Sequence, residues 1–564
     1  MKVVIVGGVA GGATAAARLR RLDETAEIII FERSGFVSYA NCGLPYYIGG
    51  EIKKQSALTL QTPEGFWARF HIDVRVHHTV LAVNPADKTV TVQLPDGIKT
   101  SESYDKLLLS PGAKAIKPPF DGIDNPRIFT LRTVEDTLSI RTFMEQKHPQ
   151  TVTVVGGGFI GLEMAENLLQ MGIDVTLAQL DNQVMPPLDY DMACEVHAYL
   201  RSKGVHLRLA TKVERFTEKD GSLWTHFAQG APLASDFVIL AIGVLPDTEL
   251  AKAAGLTLGA KGAICVDDHM QTSAPDVYAV GDAVAVRNFI TDEQAPVALA
   301  GPANKQARIA ADNLCGGNSR YTGAQGSCVI KLFDMTVATT GINEKTAQAS
   351  GIAYDKVVTY SASHASYYPG ASNLTLKTLY APADGKILGA QIVGFDGVDK
   401  RIDVLATAIR AGMTAADLAE LDLAYAPPYS SAKDSVNMAG FVIENVRGRM
   451  VKQYHWNEVA SLPTDGSITV LDVRSASEYR AGHLRDAVLI PLDTLREHLA
   501  EIPKDKPVYV NCHSGLRSYI ACRILTANGF DCRHLSGGYR FYENIMSDKR
   551  YDETPTHPCG LKIK

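Results

Sequence analysis

Two glycine-rich turns constrain this chain more than anything else in it. Residues 7–12 (GGVAGG) follow an apolar strand at 2–6 and open a helix that runs to Leu22. Residues 156–161 (GGGFIG) repeat the arrangement after a strand at 151–155, with a helix running to Met171. Glycines allow a tight turn and close approach of the backbone to a pyrophosphate, and the helix N-terminus supplies free N–H groups at the positive end of its dipole. The second strand of the first unit, 27–31, ends at Glu32, an acid placed to bind a ribose hydroxyl pair. The first turn is irregular, because Val9 holds the middle glycine position. The second is a complete GxGxxG, but its following strand, 174–180, carries Gln179 where an acid is expected. Two such units imply two dinucleotides, an electron donor and an electron acceptor. With no arginine beside Gln179 to take a 2′-phosphate, NADH is favoured over NADPH.

Composition narrows the classes. The 564 residues suit several domains, and the net charge of −6, with scattered Lys and Arg, gives no basis for nucleic-acid or anionic-membrane binding. No apolar run is long enough to span a bilayer. Nine cysteines without a CxxC pair or His/Cys cluster indicate a reduced, cytoplasmic protein with no metal site. Lys2 and the apolar stretch after it could pass for a secretory leader. Gly7, Gly8, Gly11 and Gly12 interrupt the stretch, and Arg18, Arg20 and Arg21 follow it, so it reads as strand, turn and helix.

A third element, VYAVGDA at 277–283, reads as a strand ending in Gly-Asp before a helix. It resembles the second flavin fingerprint of the flavoprotein disulfide reductases with two dinucleotide-binding domains. The resemblance implies FAD with Asp282 on its ribityl chain, and a return strand at 107–112 (LLLSPG). It also implies cofactor contacts at Gly7, Val9, Ala10, Gly11, Gly12, Glu32, Arg33, Asn41, Ser110, Pro111, Gly112, Arg132, Gly156, Gly158, Phe159, Ile160, Gly161, Glu163, Gly243, Gly281, Asp282 and Ala300.

The segment SYANCGLPYY at 38–47 contains a single cysteine, Cys42. Dithiol members of the superfamily have CxxxxC here, whereas this chain has Tyr47 at the fifth position after Cys42. Cys42 must therefore work alone, as a thiolate attacking sulfur or as a sulfenate. The surrounding motif resembles the coenzyme A disulfide reductases over residues 1 to about 445, the single-cysteine branch. That resemblance implies a homodimer in which Tyr367 (in HASYYPG) and Tyr425 (in YAPPY) reach the reactive cysteine, a chemistry suited to a phenol beside a departing sulfur. It implies coenzyme A contacts at Thr14, Arg18, Arg21, Ser38, Asn41, Asn304 and Lys433. As a bare pattern, Arg18, Arg20 and Arg21 also fit a solvated helix face. Peroxidase and oxidase relatives place a His in the first glycine turn, where this chain has Ala10.

After residue 446 the pattern restarts, through a linker at 446–454. A strand at 468–473 leads to Arg474, then Gly482 and His483, and a buried strand at 508–511 empties into CHSGLRS at 512–518 before a helix. Cys512 at a helix N-terminus feels the dipole and a concave set of N–H groups. Four residues separate Cys512 from Arg517, one fewer than a phosphate-binding loop needs, a ring sized for a terminal sulfur. With Asp472-Val473-Arg474 and Gly482-His483, the loop resembles the rhodanese sulfurtransferases over about 455–545. By that resemblance Cys512 carries a persulfide held by Arg517 and the loop amides. Cys522 and Cys532 read as core, and Cys559 as incidental.

The expected fold is α/β. An FAD domain lies at 1–115 and 247–323, an NAD(P)H domain at 116–246, an α+β dimerisation domain at 324–445, a rhodanese domain at 455–548 and a tail at 549–564. The expected activity is NADH-dependent reduction of coenzyme A persulfides, polysulfides and coenzyme A disulfide through Cys42 with release of sulfide, while the rhodanese handles sulfane sulfur from its donors. The rival readings are thiol maintenance by a coenzyme A disulfide reductase, an NADH peroxidase or oxidase, and a sulfur carrier with a silent flavin half.

Overall fold

A computed structural model describes residues 1–553, and Cys559 lies outside them. The chain divides into two compact units, residues 1–184 with 204–324 and residues 185–203 with the chain from 325 onward.

The first unit holds two parallel five-stranded sheets. In one, Lys2–Val6 is central, flanked by Glu27–Glu32 and Asp73–Val76 on one side and by Lys106–Leu109 and Val277–Ala279 on the other. Val3, Val4, Ile5, Leu107 and Leu108 have no exposed surface, as continuous apolar runs require when helices cover both faces. In the other, Thr151–Val155 lies between Asp174–Ala178 and Phe237–Leu240. In each sheet the central strand feeds a glycine turn into a helix, Ala10–Leu22 and Phe159–Gln170. One expectation is corrected. Gly281–Ala283 is a single 3₁₀ turn followed by a strand, Val284–Arg287, and the helix begins only at Ala300. The run Val-Ala-Val extends because it pairs with Ile264–Cys265 and Gln294–Pro296.

The second unit contains an antiparallel five-stranded sheet from Cys328–Leu332 to Ile387–Gly394, covered by the helices Val398–Ala411 and Ser435–Arg447. It also contains a parallel sheet in which Val508–Asn511 lies between Thr469–Asp472 and Cys532–Leu535, with Lys452–Tyr454 at one edge. The helix Tyr190–Lys203 packs on the last helix, Gly538–Glu553. Asp548 accepts hydrogen bonds there from Tyr190 Oη (3.0 Å), Cys194 Sγ (3.5 Å) and the Arg201 guanidinium, and it pairs with His197 Nδ1 at 3.0 Å. Beside it Lys377, with no exposed surface, is held by Asp189 (2.9 Å), Asp191 (2.7 Å) and Glu344 (2.5 Å). Among the described residues no helix is long and apolar enough to cross a membrane.

Candidate active sites

The two glycine turns build a cavity and a cradle from the same geometry. A Cβ on Gly12 would overlap Gly7 O, and one on Gly161 would overlap Gly156 O, so each helix can start hard against its turn only with glycine there. Glu32 accepts from the Gly8 N–H at 2.8 Å and the Ser34 N–H at 2.9 Å. Burial raises its carboxyl above the ordinary range despite those donors. Gln179 accepts from the Gly157 N–H at the same 2.8 Å, with no charge.

A cavity of about 930 Å³ opens above the first turn. Its lining brings together Gly7, Val9, Ala10, Gly11, Glu32, Arg33, Asn41, Ser110, Pro111, Gly112, Arg132, Gly281, Asp282 and Ala300, and also Thr14, Ser38, Asn304 and Cys42. Arg132 is paired with Asp282 at 2.5 Å, and Arg33 with Asp247 at 2.8 Å. Asn41 Oδ1 is buried in this wall without a hydrogen-bond partner, so it is an acceptor that a bound polar group would satisfy. The cavity's volume, its glycine floor and this orphaned acceptor fit a flavin dinucleotide. Phe159 and Ile160 open the second helix, Gly158 leaves open space beside its Cα, and Gly243 adopts a φ of +110° on the facing loop. These residues, with Gly156 and Gly161, fit a nicotinamide dinucleotide.

Cys42 sits in the 3₁₀ turn Asn41–Gly43 and is exposed. The surrounding wall still desolvates its thiol and pushes the pKa up, and the Glu163 carboxylate adds to the rise. Glu163 is itself pushed up to about 7, by burial first and then by Glu166, while a hydrogen bond from the Tyr46 hydroxyl pulls it down. The sequence reading gave no role to Tyr46, although it lies four residues after Cys42 in the same SYANCGLPYY segment.

Of the expected substrate contacts, Thr14 Oγ1 donates to Asn304 Oδ1 at 2.6 Å, and Arg18 pairs with Asp312 at 2.8 Å. Arg21 is exposed. Arg20 belongs to no solvated face. It is buried and donates to the carbonyls of Asp23, Glu24, Phe70 and His71. In the second unit, the Tyr367 and Tyr425 hydroxyls lie 2.9 Å apart on an exposed surface that also carries Tyr368 and Tyr429. Lys433 is exposed just before the helix Ser435–Arg447.

Cys512 lies at the end of Val508–Asn511 and is fully buried. The Gly515 N–H donates to its Sγ at 3.1 Å, and the Sγ–H donates to Ser518 Oγ at 3.3 Å. The helix Leu516–Ala527 starts immediately beyond. Arg474 forms a buried pair with Asp472 at 2.7 Å and lies over the Tyr539 ring. Arg517 meets Glu478 through two hydrogen bonds, Nη1 to Oε2 at 2.8 Å and Nη2 to Oε1 at 2.6 Å. The sequence reading missed Glu478, although Ser475 and Glu478 have the spacing of a capping box.

Comparison with known proteins agrees with this geometry. The pyridine nucleotide-disulphide oxidoreductase family pattern matches residues 1–307, its dimerisation-domain pattern residues 328–436, and the rhodanese-like domain pattern residues 455–544. The coenzyme A disulfide reductase of Staphylococcus haemolyticus is 39% identical over 442 residues, 78% of this chain and 98% of that protein. The crystal structure of reduced Bacillus anthracis CoADR-RHD matches with a TM-score of 0.95 at 45% identity, covering 97% of this chain and 98% of that one. A NAD-dependent persulfide reductase from A. fulgidus matches at 0.90 and 38% identity, covering 96% of this chain and all of its own. The family implies FAD and NAD(P)H, and the turns and cavity above fit both. The chain is an oxidoreductase that belongs to the pyridine nucleotide-disulphide oxidoreductases, with the dimerisation domain of that family followed by a rhodanese-like domain.

Proposed function

We propose that this protein reduces coenzyme A persulfides, and coenzyme A disulfide less readily, with electrons from NADH, and that its rhodanese domain collects the sulfane sulfur. The observation that carries the reading is a lone cysteine, Cys42, opening into the 930 Å³ cavity in a chain that also holds a cradled second cysteine, Cys512. FAD, when bound, passes two electrons from the nicotinamide to sulfur. The Cys42 thiolate attacks the inner sulfur of the persulfide. The Cys42–S bond forms, the S–S bond breaks, and hydrosulfide leaves. Two electrons and one proton then cleave the resulting mixed disulfide, restoring the Cys42 thiolate and releasing coenzyme A. Thr14, Ser38, Asn41 and Asn304 are the residues offered to coenzyme A in the first unit, with Arg18 only on release from Asp312, and Arg21 and Lys433 supply exposed cations for its phosphates. The exposed tyrosines Tyr367, Tyr368, Tyr425 and Tyr429 support a homodimer through the dimerisation domain. Gln179 is neutral, and Arg208, which meets it backbone to backbone on the next strand, directs its guanidinium to Ala231 O and the Phe227 ring, which supports NADH over NADPH.

The test is anaerobic NADH consumption by the purified flavoprotein, comparing coenzyme A persulfide with coenzyme A disulfide while released sulfide is measured. Faster persulfide turnover, with sulfide equal to NADH, is the expected result. Faster disulfide turnover would make thiol maintenance the main task. Flavin that stays oxidised when NADH is added would leave only a sulfur carrier.

A further inference from the structure

The guanidiniums of Arg517 and Arg474 beside the Cys512 loop are already engaged by carboxylates, and that of Arg540, whose charge reaches His513, lies over the Tyr360 ring. Arg517 is held by Glu478 through both carboxylate oxygens, at 2.8 and 2.6 Å. Glu478 cannot swing away cheaply. Its Oε2 also accepts from the Ser475 N–H at 2.9 Å, and its own N–H donates to Ser475 Oγ at 3.3 Å, so it is locked at the start of the helix Ala476–Ala481. Arg474 spends its Nε and Nη2 on Asp472 and on Gly482 O. What the loop keeps for a substrate is backbone N–H groups, one of which already reaches Cys512 Sγ. His513, with its basicity lowered by burial and by Arg540, adds no charge.

The chemistry of the donor decides what such a loop can accept. From a thiol persulfide, the Cys512 thiolate takes the terminal sulfur: a Cys512–S bond forms, the donor S–S bond breaks, and a thiolate leaves with a single negative charge at the departing sulfur. From thiosulfate the same attack expels sulfite, a dianion, whose stabilisation calls for an unpaired cation at the loop. We propose that the rhodanese site takes sulfane sulfur borne on a thiol and rejects thiosulfate, and that Glu478 is the positioning residue that sets this choice by withholding Arg517. The inference rests on the reading of Cys512 as a sulfur acceptor and adds the class of its donor.

The test uses the full-length flavoprotein without NADH. Mass spectrometry of the Cys512 peptide measures the rate at which it gains one sulfur from coenzyme A persulfide and from thiosulfate at equal concentration. Coenzyme A persulfide is expected to load Cys512 at least about tenfold faster, the scale of one lost charge-assisted interaction. Glu478→Gln is expected to raise the thiosulfate rate about tenfold with little change in the persulfide rate, and Glu478→Asp to restore most of the preference. A merely structural role would slow both donors together. Equal loading by the two donors in the unmodified protein overturns the proposal even where Glu478→Gln does not fold, and so does an unchanged ratio in a folded Glu478→Gln. Loading by neither donor overturns the reading of Cys512 as well, which separates the two failures.

Discussion

Cys42 and Cys512 are the two thiols to which we assign sulfur chemistry, and the protein surrounds them in opposite ways. Cys512 is fully buried and supported by its own loop, with the Gly515 N–H and the Ser518 hydroxyl within 3.3 Å and a helix N-terminus behind it. Cys42 is exposed in a cavity wall, and the balance of what its own unit supplies works against a thiolate: desolvation and the Glu163 and Asp282 carboxylates outweigh the Arg132 guanidinium. A site complete within one domain can hold its sulfur with its own groups. A site that disfavours its own thiolate depends on whatever enters the cavity. The first arrangement suits storage of sulfur, and the second suits turnover coupled to a cofactor.

The largest expected effect separates the two sites outright. Cys42→Ser should lower NADH-linked turnover by about 10³-fold or more, as loss of a covalent nucleophile does, while Cys512 still gains sulfur. Cys512→Ser should confine its loss to that sulfur loading. A variant lacking Cys42 that still oxidised NADH with persulfide would erase the contrast.

The next effect asks whether the enclosed site owes its order to its anchorage. Asp548 gathers hydrogen bonds from Tyr190, Cys194 and Arg201 and pairs with His197. Burial alone would raise its carboxyl, but His197 and Arg201 outweigh burial and hold it at about 2. Its folded value lies below its unfolded one, so its contribution is present above about pH 4 and is lost as the pH falls toward 2. Asp548→Ala should cost about 3–5 kcal/mol near neutral pH, measured by denaturant unfolding, and should flatten the acid limb of the stability curve. Within the loop itself the effect is smaller. Ser518→Ala, at a buried hydroxyl that also donates to Gly515 O at 3.0 Å, should slow sulfur loading by about 5- to 30-fold, as for a lost hydrogen bond of 1–2 kcal/mol.

How much of this was legible in the sequence follows the range of the interactions involved. The glycine turns, their strands and the Cys512 loop are local patterns in which spacing alone implies the backbone shape. Lys2–Val6, Thr151–Val155 and Val508–Asn511 run as read. Long-range partners leave no local trace. Nothing near Arg517 announces Glu478, and nothing near Arg20 announces the carbonyls of Phe70 and His71 that bury it. The helix expected after Asp282 failed for the same reason, since Val284–Arg287 is held extended by strands on either side. Asp548 likewise gains its meaning only from the helix Tyr190–Lys203.

The smallest effect tests the open site most directly. Glu163 at about 7 is neutral in acid and charged above neutrality, and after desolvation its charge is the largest cause that keeps the Cys42 thiol protonated. Glu163→Gln should therefore speed alkylation of Cys42 severalfold at pH 8 and leave it almost unchanged at pH 6, where the native carboxyl is already mostly protonated. Because the folded value of Glu163 is raised, the folded state binds more protons than the unfolded chain between the ordinary carboxyl range and about 7, and stability falls as the pH rises through that window. The substitution should remove that slope. Tyr46→Phe should shift the window upward, since the Tyr46 hydroxyl is the donor that favours the carboxylate. Alkylation insensitive to Glu163 at every pH would mean that desolvation, with the Asp282 carboxylate paired to Arg132, holds Cys42 protonated. The open site would then differ from Cys512 by solvation, with no part for the Glu163 charge.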